Sequence, residues 1–141
     1  MQAIRSFLIV LFMAVASTAM AQQTISISEL VNTKWRVENN WITDYDEYTL
    51  TEIIRKRTDG SFFKYYLTDT PVTSHDKSAF DYSKVGKTKK GSYIVLINEK
   101  VGGVYCASIE SFDKAKGVFV TKLVTQGLIG AGGIDRFKMV K

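Results

Sequence analysis

The stretch Leu30-Val31-Asn32-Thr33-Lys34-Trp35-Arg36-Val37 decides how this chain is read. It sets a Trp at the mouth of the first convincing strand, residues 34–39, with Trp35 and Val37 on one face. In a small antiparallel barrel, an aromatic at that point plugs one end of the tube. Just before it, Ser28-Glu29-Leu30-Val31 reads as one short helical turn with Ser26 or Ser28 as cap. No longer helix is indicated between there and Lys141.

Working back toward the amino end, residues 1–21 read as a cleavable export signal. Arg5 supplies the positive charge, residues 7–16 are an almost unbroken apolar run, and Ala19-Met20-Ala21 is the small-x-small pattern cut by a signal peptidase. The run is too short for a membrane span. Gln22 and Gln23 stand where a lipoprotein would need Cys, so the expectation is a soluble chain in the periplasm or outside the cell. The chain carries a net charge of +5, and Arg5 accounts for one of these, which leaves +4 for residues 22–141. That segment is long enough for one domain with a single core. A mild, interleaved excess favours solubility and weak anion attraction. Cys106 is the only cysteine, so no internal disulfide can form. Within Val104-Tyr105-Cys106-Ala107 it reads as a small buried hydrophobe, with a free reactive thiol or an intermolecular bridge as the other readings.

Working forward, the pattern is period two. Residues 48–57 read as a strand with Tyr48, Leu50 and Ile54 on one face and Thr49, Thr51, Arg55 and Arg57 on the other. Glu52 falls on the apolar face and Ile53 on the polar one, so either a bulge shifts the phase or Glu52 points inward. Thr58-Asp59-Gly60-Ser61 is a strong hairpin signal, followed by a strand at 62–67. Residues 68–78 form a loop with Pro71 and His75, and a weak strand is expected at 79–85. A basic turn at 86–91 precedes a nearly all-apolar strand at 92–97. Further strands fall at 104–111, 118–125 and 134–140, the last two separated by a glycine-rich connection at 126–133. Eight short strands at regular spacing point to an all-β sandwich or a barrel, and consecutive hairpins with no long crossover favour a single-domain, antiparallel up-and-down barrel over residues 22–141. Eight strands enclose room for packed side chains or for one small ligand.

The chain resembles the small lipocalin-like proteins exported by Gram-negative bacteria, within the calycin group of barrels. The resemblance covers nearly all of residues 28–141. It is carried by Leu30-x-x-x-x-Trp35, by Asp59-Gly60 followed by aromatics, by Gly91-Ser92-Tyr93 and by Arg136-Phe137-Lys138. The lipocalin signature has Gly where Thr33 stands here. The resemblance implies that Arg136 packs on Trp35 as a structural plug, a cation–π contact worth about 0.5–2 kcal/mol. It also implies a small apolar ligand.

Catalytic and metal chemistry find little support. His75-Asp76 lies near Ser74 and Ser78, but residues adjacent in sequence rarely make a triad, and no Gly-x-Ser-x-Gly elbow exists. One His and one Cys far apart have no metal-ligand spacing, and Asp44, Asp46 and Glu47 lack calcium-loop spacing. No cofactor motif is present. The run Gly127-Leu-Ile-Gly130-Ala-Gly132-Gly133 has the wrong spacing and context for a dinucleotide loop, and reads as a β-connection with positive φ angles. Leu128 and Ile129 at its tip suit a lid or a contact patch. Lys84, Lys87, Lys89 and Lys90 form a solvated basic turn or a contact with anionic envelope lipid or glycan, and export argues against nucleic acid.

Two functions fit. In the first, the barrel holds a small apolar or amphipathic ligand against walls formed by Tyr48, Leu50, Phe63, Tyr65 and Tyr105, with Trp35 and Arg136 as the plug. In the second, a ligand-free barrel acts through residues 41–45 and 127–129 as a protein-interaction or inhibitor module at the cell envelope. An enzyme is not expected.

Overall fold

A computed structural model describes residues 22–38, 44–56, 61–128 and 130–141. The expected signal, Trp41, the Thr58-Asp59-Gly60 turn and Ile129 lie outside the described residues. The strands are β1 (Ile25–Ser26), β2 (Lys34–Val37), β3 (Tyr45–Tyr48), β4 (Glu52–Lys56), β5 (Phe62–Thr68), β6 (Lys90–Gly91), β7 (Tyr93–Asn98), β8 (Gly103–Asp113), β9 (Val118–Leu123) and β10 (Ile134–Met139), with one short helix α1 (Ile27–Leu30). Eight of them close an antiparallel barrel in the order β10-β2-β3-β4-β5-β7-β8-β9, and β1 pairs with β6 outside it. The first and last barrel strands meet with Met139 opposite Trp35, Lys138 opposite Arg36 and Phe137 opposite Val37. Closure leaves the barrel no free sheet edge.

The entry stretch builds one end of the tube. Helix α1 buries Ile27 and Leu30, three residues apart and so on one face. The Glu29 carboxylate accepts the Ser26 N–H at 3.1 Å, and Asn32 ends the helix at φ 65°, a left-handed conformation that Asn tolerates. Trp35 then turns inward and is 1% exposed. Its indole N–H donates to Thr33 Oγ1 at 2.7 Å, and the same hydroxyl donates to the Leu30 carbonyl at 2.5 Å. Thr33, where the lipocalin signature has Gly, thus satisfies a buried donor. Trp35 meets Phe112 at 5.6 Å and Phe119 edge-on at 5.4 Å. Phe119 in turn packs on Tyr48 and Phe137.

Two expected elements are corrected. The single strand at 48–57 is two strands, because the chain reverses at residues 49–51. Thr49 holds that reversal: its N–H donates to the Glu52 carbonyl at 2.8 Å, and its hydroxyl accepts the Glu52 N–H at 2.9 Å. Tyr48 therefore stands opposite Ile53, both buried. The misplaced phase of Glu52 arises neither from a bulge nor from an inward carboxylate, since the alternation restarts after the turn. The expected strand at 79–85 is replaced by two 3-10 turns, Lys77–Ala79 and Tyr82–Lys84. The carboxylates of Asp76 and Asp81 accept the N–H groups of Ser78 and Ser83 at 3.4 and 3.1 Å, which caps each turn as an N-cap does. One strand gained and one lost leave the barrel at eight.

A second apolar cluster lies outside the tube. Val95, Ile97, Val104 and Cys106 on β7 and β8 pack against Tyr66 and Phe80, with the Tyr66 and Phe80 rings 5.0 Å apart. This is why β7 is apolar at nearly every position: both its faces are covered, one by the barrel interior and one by the crossover between β5 and β7. The basic turn does not stay clear of the sheets, as Lys90 and Gly91 pair with Ser26 and Ile25. Gly91 is required there, because a Cβ would lie 2.4 Å from the Thr68 nitrogen.

Replacing Thr33 by Val keeps the shape of the side chain and removes the acceptor for the Trp35 indole. A buried donor left unpaired costs about 1–3 kcal/mol. Thr33→Val is expected to lower the unfolding free energy by that amount in urea titrations, while Thr33→Ser stays near the unaltered protein. Equal stability of Val and Thr at this position would show that the hydroxyl does not anchor the indole.

Candidate functional site

Beyond the Trp35 knot the barrel interior is not filled. A cavity of about 410 Å³ opens there, within the usual range for small-molecule sites. Inward residues of the barrel strands wall it, and it reaches the surface beside the β9–β10 connection, where Gly130, Gly133 and the exposed Ile134 line it. Gly130 and Gly132 take φ values of 91° and 82°, positive as the sequence suggested and open chiefly to Gly.

Three of the five residues expected as walls line this cavity: Tyr48, Phe63 and Tyr105. Tyr65 belongs to the packed interior instead. It is fully buried, its ring stands edge-on to Tyr48 at 5.5 Å, and its hydroxyl donates to the Thr49 carbonyl at 2.7 Å. Leu50 is a correction. It sits at the tip of the β3–β4 turn and is 48% exposed, because the reversal at Thr49 takes it out of the strand phase. Arg136 is a second correction. It stands opposite Val120 while its neighbour Phe137 stands opposite Phe119, and the Phe137 and Phe119 rings meet at 5.6 Å. Strand alternation therefore turns Arg136 outward, where it is exposed. Trp35 has its polar partner in Thr33 instead.

The ion pair in the wall is one the sequence reading missed. Asp46 on β3 lies opposite Arg55 on β4. Its two carboxylate oxygens accept Arg55 Nε–H at 2.8 Å and an Nη2 hydrogen at 3.2 Å, a bidentate fork. The guanidinium also lies 4.9 Å from the centre of the Phe63 ring. Burial alone would lower the Arg55 pKa, but the hydrogen bond and charge of Asp46 outweigh it and raise the value above the ordinary one. Burial, and then the charge of Asp46, raise the Tyr48 hydroxyl well above the usual tyrosine range. The rest of the wall is mainly apolar, with Ile53, Ile94, Leu96 and Leu123, and has two small side chains, Ala107 and Thr121. The pairing of Asp46 with Arg55 was within reach of the sequence once residues 49–51 are taken as a hairpin turn.

Other sequence features take structural places. His75 is exposed, and its carbonyl accepts the Val104 N–H at 3.0 Å. Asp76 caps the following turn. Among the described residues no group of three or more His, Cys, Asp or Glu side chains is gathered to hold a metal ion. Cys106 is fully buried, and burial pushes its thiol up to about 11. Comparisons with protein-family models, curated proteins and solved structures find no match for this chain. The class that the fold itself defines is a closed antiparallel barrel of eight strands, compatible with a calycin-like fold.

The raised thiol and tyrosine values make stability depend on alkaline pH. Cys106 keeps its proton in the folded chain up to about 11 and loses it near its reference value of 9.0 when exposed. The unfolded state therefore binds fewer protons as pH rises, and stability falls. Below pH 9 this contribution is fully present, and it is lost between about 9 and 11. Urea midpoints should drop across that window, and both Cys106→Ala and Tyr48→Phe should shallow the drop. A flat profile through it would contradict the burial of these groups.

Proposed function

We propose that this chain is an exported, lipocalin-like binding protein that holds a small apolar or amphipathic molecule in the barrel cavity. It would work in the periplasm or outside the cell without a lipid anchor, a placement resting on residues 1–21. The observation that carries the binding role is the cavity of about 410 Å³ between the aromatic knot and the β9–β10 connection. Its chemistry supports the same reading: apolar walls and a small number of placed polar groups are what a small-molecule site needs. We assign it no catalytic step and no cofactor.

Ala107 offers the cleanest test. It lines the cavity and lies between Ile94 on β7 and Leu123 on β9. Ala107→Trp would fill the space from the wall. Organic extracts of the purified protein should contain a lipophilic small molecule by mass spectrometry. A lipophilic probe should bind the unaltered protein and bind Ala107→Trp about tenfold more weakly or worse, with the β-rich circular dichroism spectrum kept. Undiminished probe binding by a folded Ala107→Trp would place binding elsewhere and remove the proposal's support.

A further inference from the structure

We infer that the molecule held in the cavity is an amphiphile whose polar head carries no negative charge, such as an alcohol, ester or amide. The inference deepens the binding reading above and rests on it.

The reasoning starts from Arg55, the one cationic side chain among the described residues that line the cavity. A guanidinium in an apolar wall is the natural receptor for a carboxylate, because its fork matches two oxygens at once. Here the chain itself supplies that carboxylate. Asp46 holds the fork at 2.8 and 3.2 Å, and its backbone is fixed directly opposite Arg55 by the β3–β4 register. The Phe63 ring lies against the guanidinium at 4.9 Å. An entering anion would have to compete with a partner that cannot diffuse away.

Displacement is also unfavourable for what it leaves behind. The Asp46 side chain is 13% exposed, so losing Arg55 would strand a mostly buried carboxylate without its counter-ion. An anion that stayed beside the intact pair would gain little, since Arg55 and Asp46 cancel. Asp135 lines the cavity as well. Among the described residues the charged side chains of the lining are one cation, Arg55, and two anions, Asp46 and Asp135, a balance of −1 that repels a second carboxylate. A neutral head makes no such demand. It can exchange hydrogen bonds with the hydroxyls of Tyr105 and Thr121, which share the wall, and leave the ion pair in place.

The test is isothermal titration of the full protein at neutral pH with three probes of one chain length: decanol, methyl decanoate and decanoate. Decanol and the ester are expected to bind within a few-fold of each other, and decanoate about tenfold more weakly or worse. Asp46→Asn should move the ratio of decanoate to decanol affinity about tenfold toward decanoate, because the guanidinium then lacks its tethered anion. The ester–acid comparison uses the unaltered protein, so the outcome is decided even where that variant fails to fold. Decanoate binding as tightly as the ester would overturn the head-group inference and leave the binding role standing. Heat from none of the three would overturn the binding role, and the inference with it.

Discussion

Strand β2 is four residues long, and β10 has to find it from the far end of the chain. The three residue pairs between them close the barrel. Two further backbone bonds continue the seam, from Glu38 N–H to the Arg136 carbonyl at 2.7 Å and from Val140 N–H to the Lys34 carbonyl at 2.8 Å. An ion pair also spans it, Lys138 to Glu38 at 3.5 Å, but the Lys138 side chain is mostly exposed. Such a pair is worth about 0–1 kcal/mol. Each of the two ring contacts made by Trp35 adds about 0.5–1.5 kcal/mol beyond the area it buries. The inward packing of the indole therefore outweighs the outward charge as the reason the seam stays shut. Helix α1, which brings Leu30 and the Thr33 hydroxyl to the indole, is part of the same closure.

The β character, the barrel and the place of Trp35 were legible because period-two alternation and an apolar inner face are long-range, repeated signals. What was not legible was local. Residues 49–51, Thr-Leu-Thr, contain no Gly, Pro, Asn or Asp, so the reversal there has no ordinary turn chemistry and depends on the Thr49 hydroxyl. The one visible sign was the phase conflict at Glu52 and Ile53, which a reversal explains and a continuous strand does not. Leu50 was lost as a wall residue for that reason. Conversely, residues 79–85 show a strand-like spacing of Phe80 and Tyr82, yet Asp76-x-Ser78 and Asp81-x-Ser83 are two capping pairs in succession. Side-chain bonds to nearby backbone compete with a ladder, and here they win. Arg136 failed differently: the resemblance pointed it at Trp35, while the register with β9 gives the inward place to Phe137.

The outer cluster explains features that a plain barrel would not need. Val95, Ile97, Val104 and Cys106 are fully buried although they lie outside the tube, and the crossover pays for their cover with Phe80, Val72 and Val85. Cys106 is held from both sides: its N–H donates to Thr125 Oγ1 at 2.6 Å, and its sulfur accepts the Val72 N–H at 3.5 Å. A thiol buried this way, with its ionisation pushed up to about 11, is a poor nucleophile at neutral pH. Its place in the molecule is packing.

The cavity, by the same logic, is written into side-chain size. The closed end carries Trp35, Phe112, Phe119 and Tyr65 in the interior, whereas the wall further along carries Ala107 and Thr121, with Gly130 and Gly133 where it meets the surface. Larger apolar residues at Ala107 and Thr121 would continue the packing. The Asp46–Arg55 pair stands in the same wall. Its Arg55 side chain is 33% exposed and its Asp46 side chain 13%, so desolvation offsets only part of what the attraction contributes. The cavity is thus partly open and mainly apolar, with an ion pair in its wall, and it is on these features that the proposed binding of an amphiphile rests.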